Sequence, residues 1–271
     1  MKNVLTIAGS DSCGGAGIQA DLKTMCALGV YGMSVITAVT AQNTLGVKSA
    51  VEMDKTIVEE QIRCIFDDIK VDAVKIGMVS NVEIIKTIRN LLIEYKAENV
   101  VIDPVMISKS GYLLLKSEAL KEMKKFSSSS YLITPNIPEA EVLADIKIQS
   151  EKDIEQAAIN IYNLGAKNVL IKGGHRSSET NCVNDILYDG NKFTIIEGQR
   201  INKTNTHGTG CTLSSAIASF LAKGNTIEES VKLAKSYITK AIENSFSIGH
   251  GVGPLGHLTE LYKSSGMQYK D

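Results

Sequence analysis

The chain has 271 residues, 44% of them hydrophobic, with 29 basic and 30 acidic side chains and a net charge of −1. This length suits one large α/β domain spanning 1–271, or at most two small ones. The balanced charge leaves no electrostatic footprint for nucleic acid or an anionic membrane, and no apolar run reaches membrane-spanning length.

Five cysteines stand at 13, 26, 64, 182 and 211. The number is odd and no pair has C-x-x-C spacing, so neither a disulfide framework nor a zinc site is expected. A reducing cytoplasm is the expected setting. The apolar run from Val4 to Gly9 is too short for a signal peptide.

Val4 to Ala8 reads as a short buried strand ended by Gly9. Gly9-Ser10-Asp11-Ser12-Cys13-Gly14-Gly15-Ala16-Gly17 follows, then a helix from about Ile18 to Leu28 with Gly29 as its C-cap. Strand, glycine loop and helix make either a ligand-binding turn or a plain tight turn. It is neither a Walker A loop, which needs a lysine, nor G-x-G-x-x-G. Met33 to Ala41 is a second strand ending in Gln42-Asn43-Thr44-Leu45-Gly46, and Val47 to Met53 a possible third. Asp54 caps a helix whose Ile57, Val58, Ile62, Ile65, Phe66 and Ile69 keep helical spacing.

Asp72 to Gly77 is a strand with Met78 at its end, 81–97 a helix, and Asn99 to Asp103 a strand entering Pro104. Lys116 to Lys125 is helical, and Tyr131 to Thr134 is a strand leading into Pro135-Asn136-Ile137-Pro138-Glu139. A helix over Glu151–Leu164 precedes a strand, Asn168–Ile171, that runs into Lys172-Gly173-Gly174. Ile186–Tyr188 and Phe193–Ile195 form a hairpin, and helices at about 209–223 and 226–245 close the chain. Strands alternating with long helices predict an α/β fold, a doubly wound, mostly parallel sheet with helices on both faces. Ligands of such sheets bind at the carboxyl ends of the strands. Asp11, Gln42, Met78, Asp103, Asn136, Glu139 and Lys172 all fall just after predicted strands. Gly251-Val252-Gly253-Pro254-Leu255-Gly256 fits G-x-G-x-x-G, but no strand precedes it and a proline interrupts it, so it is rejected as a dinucleotide site.

The stretch Asn205-Thr206-His207-Gly208-Thr209-Gly210-Cys211-Thr212 opens directly into a run of small and apolar residues. Such a turn aims backbone N–H groups outward at the positive end of a helix, which suits an anion such as phosphate. Alternatively it only turns the chain. Cys211 falls in the first turn, where a thiol's pKa tends to be lowered. Phosphoryl transfer asks for donors to phosphate oxygens and for carboxylates that orient a metal. Asp103 and Glu139 suit the second task, although Asp103 equally suits a turn cap and Glu139 a helix cap. Lys172 either reaches phosphates or is a surface lysine.

Gly-Thr-Gly-Cys before a late helix resembles the ribokinase-like small-molecule kinases of vitamin precursors. Ala8-Gly9-Ser10-Asp11, Thr40-Ala41-Gln42-Asn43-Thr44, Lys75-Ile76-Gly77-Met78, Asp103-Pro104-Val105-Met106 and Thr134-Pro135-Asn136 extend the resemblance over nearly the whole chain. Together they are similar to the hydroxymethylpyrimidine/phosphomethylpyrimidine kinases of thiamine biosynthesis. Ser12-Cys13 stands where that family usually has Pro-Ser. The resemblance implies a ribokinase-like fold with a small or minimal lid, and two ATP- and Mg2+-dependent phosphorylations of a pyrimidine. It also implies a homodimer. Gly9, Asp11, Gln42, Met78 and Val105 would line the substrate pocket. Asn136, Lys172 and Thr206 would serve the nucleotide, and Asp103 and Glu139 the metal. Gly208, Thr209, Gly210 and Cys211 would carry the catalytic loop, with Cys211 as a thiolate that accepts the alcohol's proton. Pyridoxal kinase activity and a non-catalytic precursor sensor are the alternatives. Cys-type pyridoxal kinases tend to lack Gln at position 42, which favours the pyrimidine enzyme.

Overall fold

The computed structural model describes residues 1–106, 117–173 and 183–267. The elements, in chain order, are β1 (Asn3–Asp11), α1 (Gly17–Ala27), β2 (Tyr31–Asn43), β3 (Gly46–Glu52) and α2 (Lys55–Phe66). Then come β4 (Ala73–Ile76), α3 (Val82–Glu94), β5 (Val100–Ile102), α4 (Ser117–Ser127), β6 (Leu132–Ile133) and α5 (Ile137–Ala144). The remainder is α6 (Glu151–Asn163), β7 (Val169–Ile171), β8 (Asp185–Tyr188), β9 (Phe193–Ile196), α7 (Thr209–Ala222), α8 (Ile227–Glu243) and α9 (Thr259–Ser264). The strands form one sheet in the order β3-β2-β1-β4-β5-β6-β7-β8-β9. From β2 to β7 the neighbours run parallel, and β3, β8 and β9 pair antiparallel at the two ends.

Both faces of the sheet are covered, which explains why the central strands read as continuous apolar runs. Leu5, Val74, Val100 and Ile102 pack with Ile62, Ile85, Ile88 and Phe126 in one core. Val4, Ala73 and Val101, their neighbours in sequence, pack with Met25, Ala216, Ile217 and Ala234 in the other. Successive side chains leave a strand on opposite faces, so each apolar pair feeds both cores.

The elements fall where the periodicity put them, with three differences. β1 and β2 continue to Asp11 and Asn43, because pairing resumes after a bulge between Ala8 and Ser10. α5 was not foreseen as a helix in its own right. It has eight residues, with Pro138 in its first turn and a reciprocal Asn136–Glu139 cap. α9, with six residues, was also unforeseen. The expected helix start at Lys116, Gly174 of the Lys-Gly-Gly run and Cys182 lie outside the described residues.

One charged cluster lies inside this apolar framework. The Lys75 ammonium of β4 donates to Asp21 Oδ1 at 2.9 Å and Oδ2 at 2.7 Å, and both side chains are fully buried. Asp21 of α1 also accepts from the hydroxyls of Thr6 (2.6 Å) and Ser215 (2.6 Å), on β1 and α7. Burial works against the lysine's charge, but Asp21, with Asp103 further off, holds it charged. Removing one partner of such a pair strands the other charge, at about 3–5 kcal/mol. Lys75→Met is therefore expected to lower the unfolding free energy by about that amount, read from urea denaturation. Lys75→Met combined with Asp21→Leu should recover part of the loss. A single variant within error of the parent would contradict this assignment.

Candidate active site

Parallel strands deliver their carboxyl ends to one edge, and the loops there bound a cleft of about 930 Å3. Gly9, Asp11, Gln42, Met78, Val105, Asp103, Asn136, Glu139, Lys172, Thr206, Gly208, Thr209, Gly210 and Cys211 all line it. Every residue singled out from the sequence as a site residue thus reaches the same space.

The loop before α7 ends in Gly208, which has φ +84° and caps the helix without a side-chain hydrogen bond. Only a glycine sits comfortably there, and a Cβ would also run into the Gly15 carbonyl. With no side chain across the helix start, the first-turn N–H groups face the cleft as an anion site requires. A Cβ built on Gly210 would lie 3.1 Å from Asp103 Oδ2 and 3.6 Å from Lys172 Nζ. Loop, carboxylate and ammonium therefore meet within the span of a phosphate group.

Lys172 is not a surface lysine. Its ammonium donates to Asp103 Oδ1 at 2.8 Å, with the two side chains 16% and 3% exposed. Burial works against its charge, but Asp103 and Glu139 outweigh it and hold the pKa above the ordinary lysine value. Glu139 is a helix cap that also reaches the cleft. Its Oε2 accepts from the Asn136 N–H at 2.9 Å, while Asn136 Oδ1 accepts from the Glu139 N–H at 2.9 Å, a complete capping box. Burial pushes its carboxyl well above the usual range and Asp103 adds to this, while Lys172 and the backbone N–H groups of Asn136 and Met106 oppose it.

Among the described residues no group of three or more His, Cys, Asp or Glu could hold a metal ion. A magnesium ion bound through one or two carboxylates, with water and phosphate completing its shell, needs no such cage. Asp103 and Glu139 fit that donor set, since Asp103 raises the cost of ionising Glu139 and a nearby cation would relieve it.

Cys211 departs from expectation. The helix start does not produce a reactive thiolate. Burial pushes the thiol up to about 11, and the negative charges of Asp21 and Asp103 add to it against the pull of Lys75 and the Gly17 N–H. The local macrodipole is outweighed by desolvation and by charges from other elements.

Asp11 organises the first glycine loop. Oδ1 accepts from the Cys13 N–H (2.9 Å), and Oδ2 from those of Gly15 (3.1 Å) and Ala16 (2.8 Å). Gln42 stands at a register shift in the β2–β3 pairing, where a bulge re-aims side chains. Its backbone is clamped by Ser12, whose hydroxyl accepts from Gln42 N–H at 2.9 Å and donates to Gln42 O at 2.8 Å.

Sequence reasoning missed the other lobe of the cleft. Lys235, Ile238, Thr239 and Ile242 line it from one face of α8, beside Leu213 and Asp185. Lys235 Nζ donates to Asp185 Oδ2 at 2.6 Å, and Asp185 Oδ1 accepts from the Gly173 N–H at 2.9 Å. Their i, i+3, i+4, i+7 spacing was visible, but the same stripe also describes ordinary core packing. The G-x-G-x-x-G look-alike is structural. Gly251 N–H and Val252 N–H donate to Thr44, and Pro254 bridges to His207.

A family model described as phosphomethylpyrimidine kinase matches residues 11–256. The chain belongs to this family. It is 46% identical over 258 residues to the hydroxymethylpyrimidine/phosphomethylpyrimidine kinase of Bacillus subtilis, covering 95% of each chain. Among solved structures it is similar to phosphomethylpyrimidine kinase from Clostridium difficile 630, with TM-score 0.80, 52% identity, and 89% of this chain and 100% of that one covered. It is also similar to a Bacillus subtilis pyridoxal kinase solved as an ADP complex, with TM-score 0.89, 39% identity, and coverage of 95% and 97%. Some curated relatives are longer, and the chain spans about half of a bifunctional thiamine biosynthesis protein of Geobacter sulfurreducens, 52% of its length. The fold is ribokinase-like, and the chain is a small-molecule kinase.

The raised thiol makes a direct expectation. In ligand-free protein the alkylation rate of Cys211, followed by mass spectrometry of its peptide, should keep rising through pH 9 and level off only near pH 11. A plateau below pH 8 would show a lowered thiol instead.

Proposed function

We propose that the chain phosphorylates 4-amino-5-hydroxymethyl-2-methylpyrimidine and then its monophosphate, using ATP and magnesium, to give the diphosphate consumed in thiamine biosynthesis. The observation that carries this reading is the meeting of the uncapped α7 start, Asp103 and Lys172 around Gly210, in the cleft that also holds Gln42 and Asp11. Family membership narrows the substrate class.

In the ligand-free arrangement Lys172 and Asp103 neutralise each other. The backbone N–H groups of Thr209, Gly210 and Cys211 receive the oxygens of the transferred group at the positive end of α7. Asp103 and Glu139 would hold magnesium, which would supply charge neutralisation for the phosphates. Lys172 supplies positive charge beside Asp103 and the loop. The apolar side chains of Leu213, Ile238 and Ile242 offer a surface for the nucleotide base. Val105, Met78 and Gln42 bound the pyrimidine.

A loose phosphoryl transition state asks little of a base, so a protonated Cys211 is no obstacle. The thiol positions the alcohol rather than deprotonating it. The second acceptor is a phosphate monoester, whose second pKa near 6 leaves it mostly dianionic at neutral pH. Both transfers can therefore use one set of groups. A second reading, pyridoxal kinase on the same scaffold, is favoured by the likeness to the Bacillus subtilis pyridoxal kinase. Gln42 weighs for the pyrimidine, since its amide matches an amine beside a ring nitrogen.

The deciding assay compares steady-state phosphorylation of the hydroxymethylpyrimidine with that of pyridoxal. A higher kcat/KM on the pyrimidine is expected, and the reverse order would hand the chain to the second reading. Gly210→Asp places a carboxylate against that of Asp103 and blocks the N–H groups, and should lower turnover at least about 100-fold. Wild-type turnover in that variant would remove the phosphate role of the loop.

A homodimer belongs to the same proposal, and the β2–β3 end of the sheet supports it. β3 is an end strand, and its Val51 pairs with Val39 of β2, the two being 68% and 47% exposed on one face. Light scattering should give a dimer for the parent protein and a monomer for Val51→Glu. A monomeric parent would refute the dimer.

A further inference from the structure

Asp11, His207 and Gln42 meet at the seam between the two glycine loops. His207 Nε2 lies 2.9 Å from Asp11 Oδ2 and 3.0 Å from the Gln42 side-chain amide. Two polar contacts thus converge on a single ring nitrogen, and they constrain each other.

Asp11 accepts three backbone N–H groups, an arrangement that suits only the carboxylate. Burial raises its pKa, but the His207 contact and the N–H groups of Ala16 and Cys13 more than reverse this. A carboxylate oxygen only accepts, so the proton between Asp11 and His207 sits on Nε2. This holds for the neutral Nε2–H form of the ring and for the imidazolium alike. A nitrogen that carries a proton in the ring plane cannot accept from an amide NH2. The structure places Gln42 Nε2 at this point, and the hydrogen bonding requires the amide turned over, so that Oε1 faces the ring. The two amide termini have nearly the same shape, so this orientation costs no volume.

The other end of the amide agrees. It lies 3.4 Å from Thr40 Oγ1, whose own proton goes to the Ser10 carbonyl at 3.0 Å. That hydroxyl is left to accept, so it prefers the amide NH2. Every group in the chain Asp11–His207–Gln42–Thr40–Ser10 is satisfied in one orientation, and the reverse sets two donors and two acceptors against each other. Nor can the frame relax easily. Ser12 clamps the Gln42 backbone, and the His207 ring lies against Gly15, where a Cβ would collide with it.

We infer that His207 is a positioning residue that fixes the donor–acceptor polarity of the Gln42 amide, and so makes the site select a 4-aminopyrimidine over its 4-oxo counterpart. The substrate half of this inference rests on the function proposed above. A free glutamine amide turns over to suit either ligand. A 4-aminopyrimidine offers an NH2 beside an acceptor nitrogen, whereas the 4-oxo form offers a C=O beside N–H, the opposite polarity. In the proposed substrate the amine is on the ring carbon next to the hydroxymethyl group. With the hydroxymethyl group aimed at the Gly208–Cys211 loop, the amine lies toward His207, which directly precedes that loop. There it meets Oε1, and the ring nitrogen beyond it meets the NH2 on the Thr40 side. The pinned polarity is the one that the amine needs.

Two measurements test this. Long-range proton–nitrogen correlation on ligand-free protein carrying nitrogen-15 histidine should show His207 protonated at Nε2 near neutral pH. A ring protonated at Nδ1 alone would overturn the inference. The second is the ratio of dissociation constants for the aminopyrimidine and its 4-oxo analogue. The parent should favour the amine, His207→Ala should reduce that preference about tenfold, and His207→Gln, which keeps a donor near the Nε2 position, should restore most of it. An unchanged ratio in His207→Ala, or equal loss in both variants, would overturn the inference and leave His207 a packing residue. If the parent protein binds neither pyrimidine, the proposed substrate falls instead, and the ring protonation decides the amide polarity by itself.

Discussion

Everything at the carboxyl edge of the sheet depends on one ion pair that water does not reach. Lys75 comes from β4, Asp21 from α1, and the hydroxyls that complete the carboxylate from Thr6 on β1 and Ser215 on α7. The buried face of α7 is made of Ala, Ile, Leu, Ser and Thr, and apolar contact is non-directional. A carboxylate held by four hydrogen bonds from three fixed donors is directional. The network sets the axial position of α7 and therefore where its first turn stops. A buried pair of this kind is weak evidence for stability and better evidence for uniqueness of the arrangement. Here the arrangement it makes unique is the distance between a helix start and Asp103.

The same logic recurs nearer the solvent with Asp11. The first glycine loop would otherwise be a flexible segment with many unpaired N–H groups. One carboxylate gathers three of them and binds His207 from the second loop. The two loops then interlock so closely that side chains are excluded at Gly15 and Gly208. Glycine is needed on both sides of this contact for close approach, and at Gly208 for its positive φ as well. A site built this way is ordered before ligand arrives, which lowers the entropy cost of binding.

Much of this was legible from sequence because a parallel sheet turns a local feature into a spatial one. A residue just after a strand is at the ligand edge, so Asp103, Asn136 and Lys172 could be placed together without knowing the strand order. What stayed hidden depends on partners far along the chain. Lys75 reads as an ordinary polar residue in a strand until Asp21, 54 positions away, is set against it. Asp185 and Lys235 are separated by 50 positions and carry no motif. Cys211 shows the limit most clearly. Its place in the first turn is a local fact and argues for a lowered pKa. Burial reverses the sign, and the carboxylates that add to it come from α1 and from the residue after β5. α5 escaped because its start signal, Asn136 with Glu139, lies inside a stretch with two prolines.

Glu139 is held between two opposing demands. Its side chain completes a helix cap, which favours the ionised form, yet burial and Asp103 raise its pKa above the ordinary range. A folded-state pKa above the unfolded value means that the folded protein takes up a proton more readily than the unfolded chain. The contribution to stability is then greatest below the unfolded carboxyl pKa and declines as pH rises through the folded value. Near neutrality this side chain therefore works against folding, and the cap could be served as well by an uncharged glutamine. A structural role explains the hydrogen bond but not the charge beside Asp103. Two carboxylates held close with a single lysine between them leave a local deficit of positive charge, and a divalent cation arriving with phosphates has the sign to correct it.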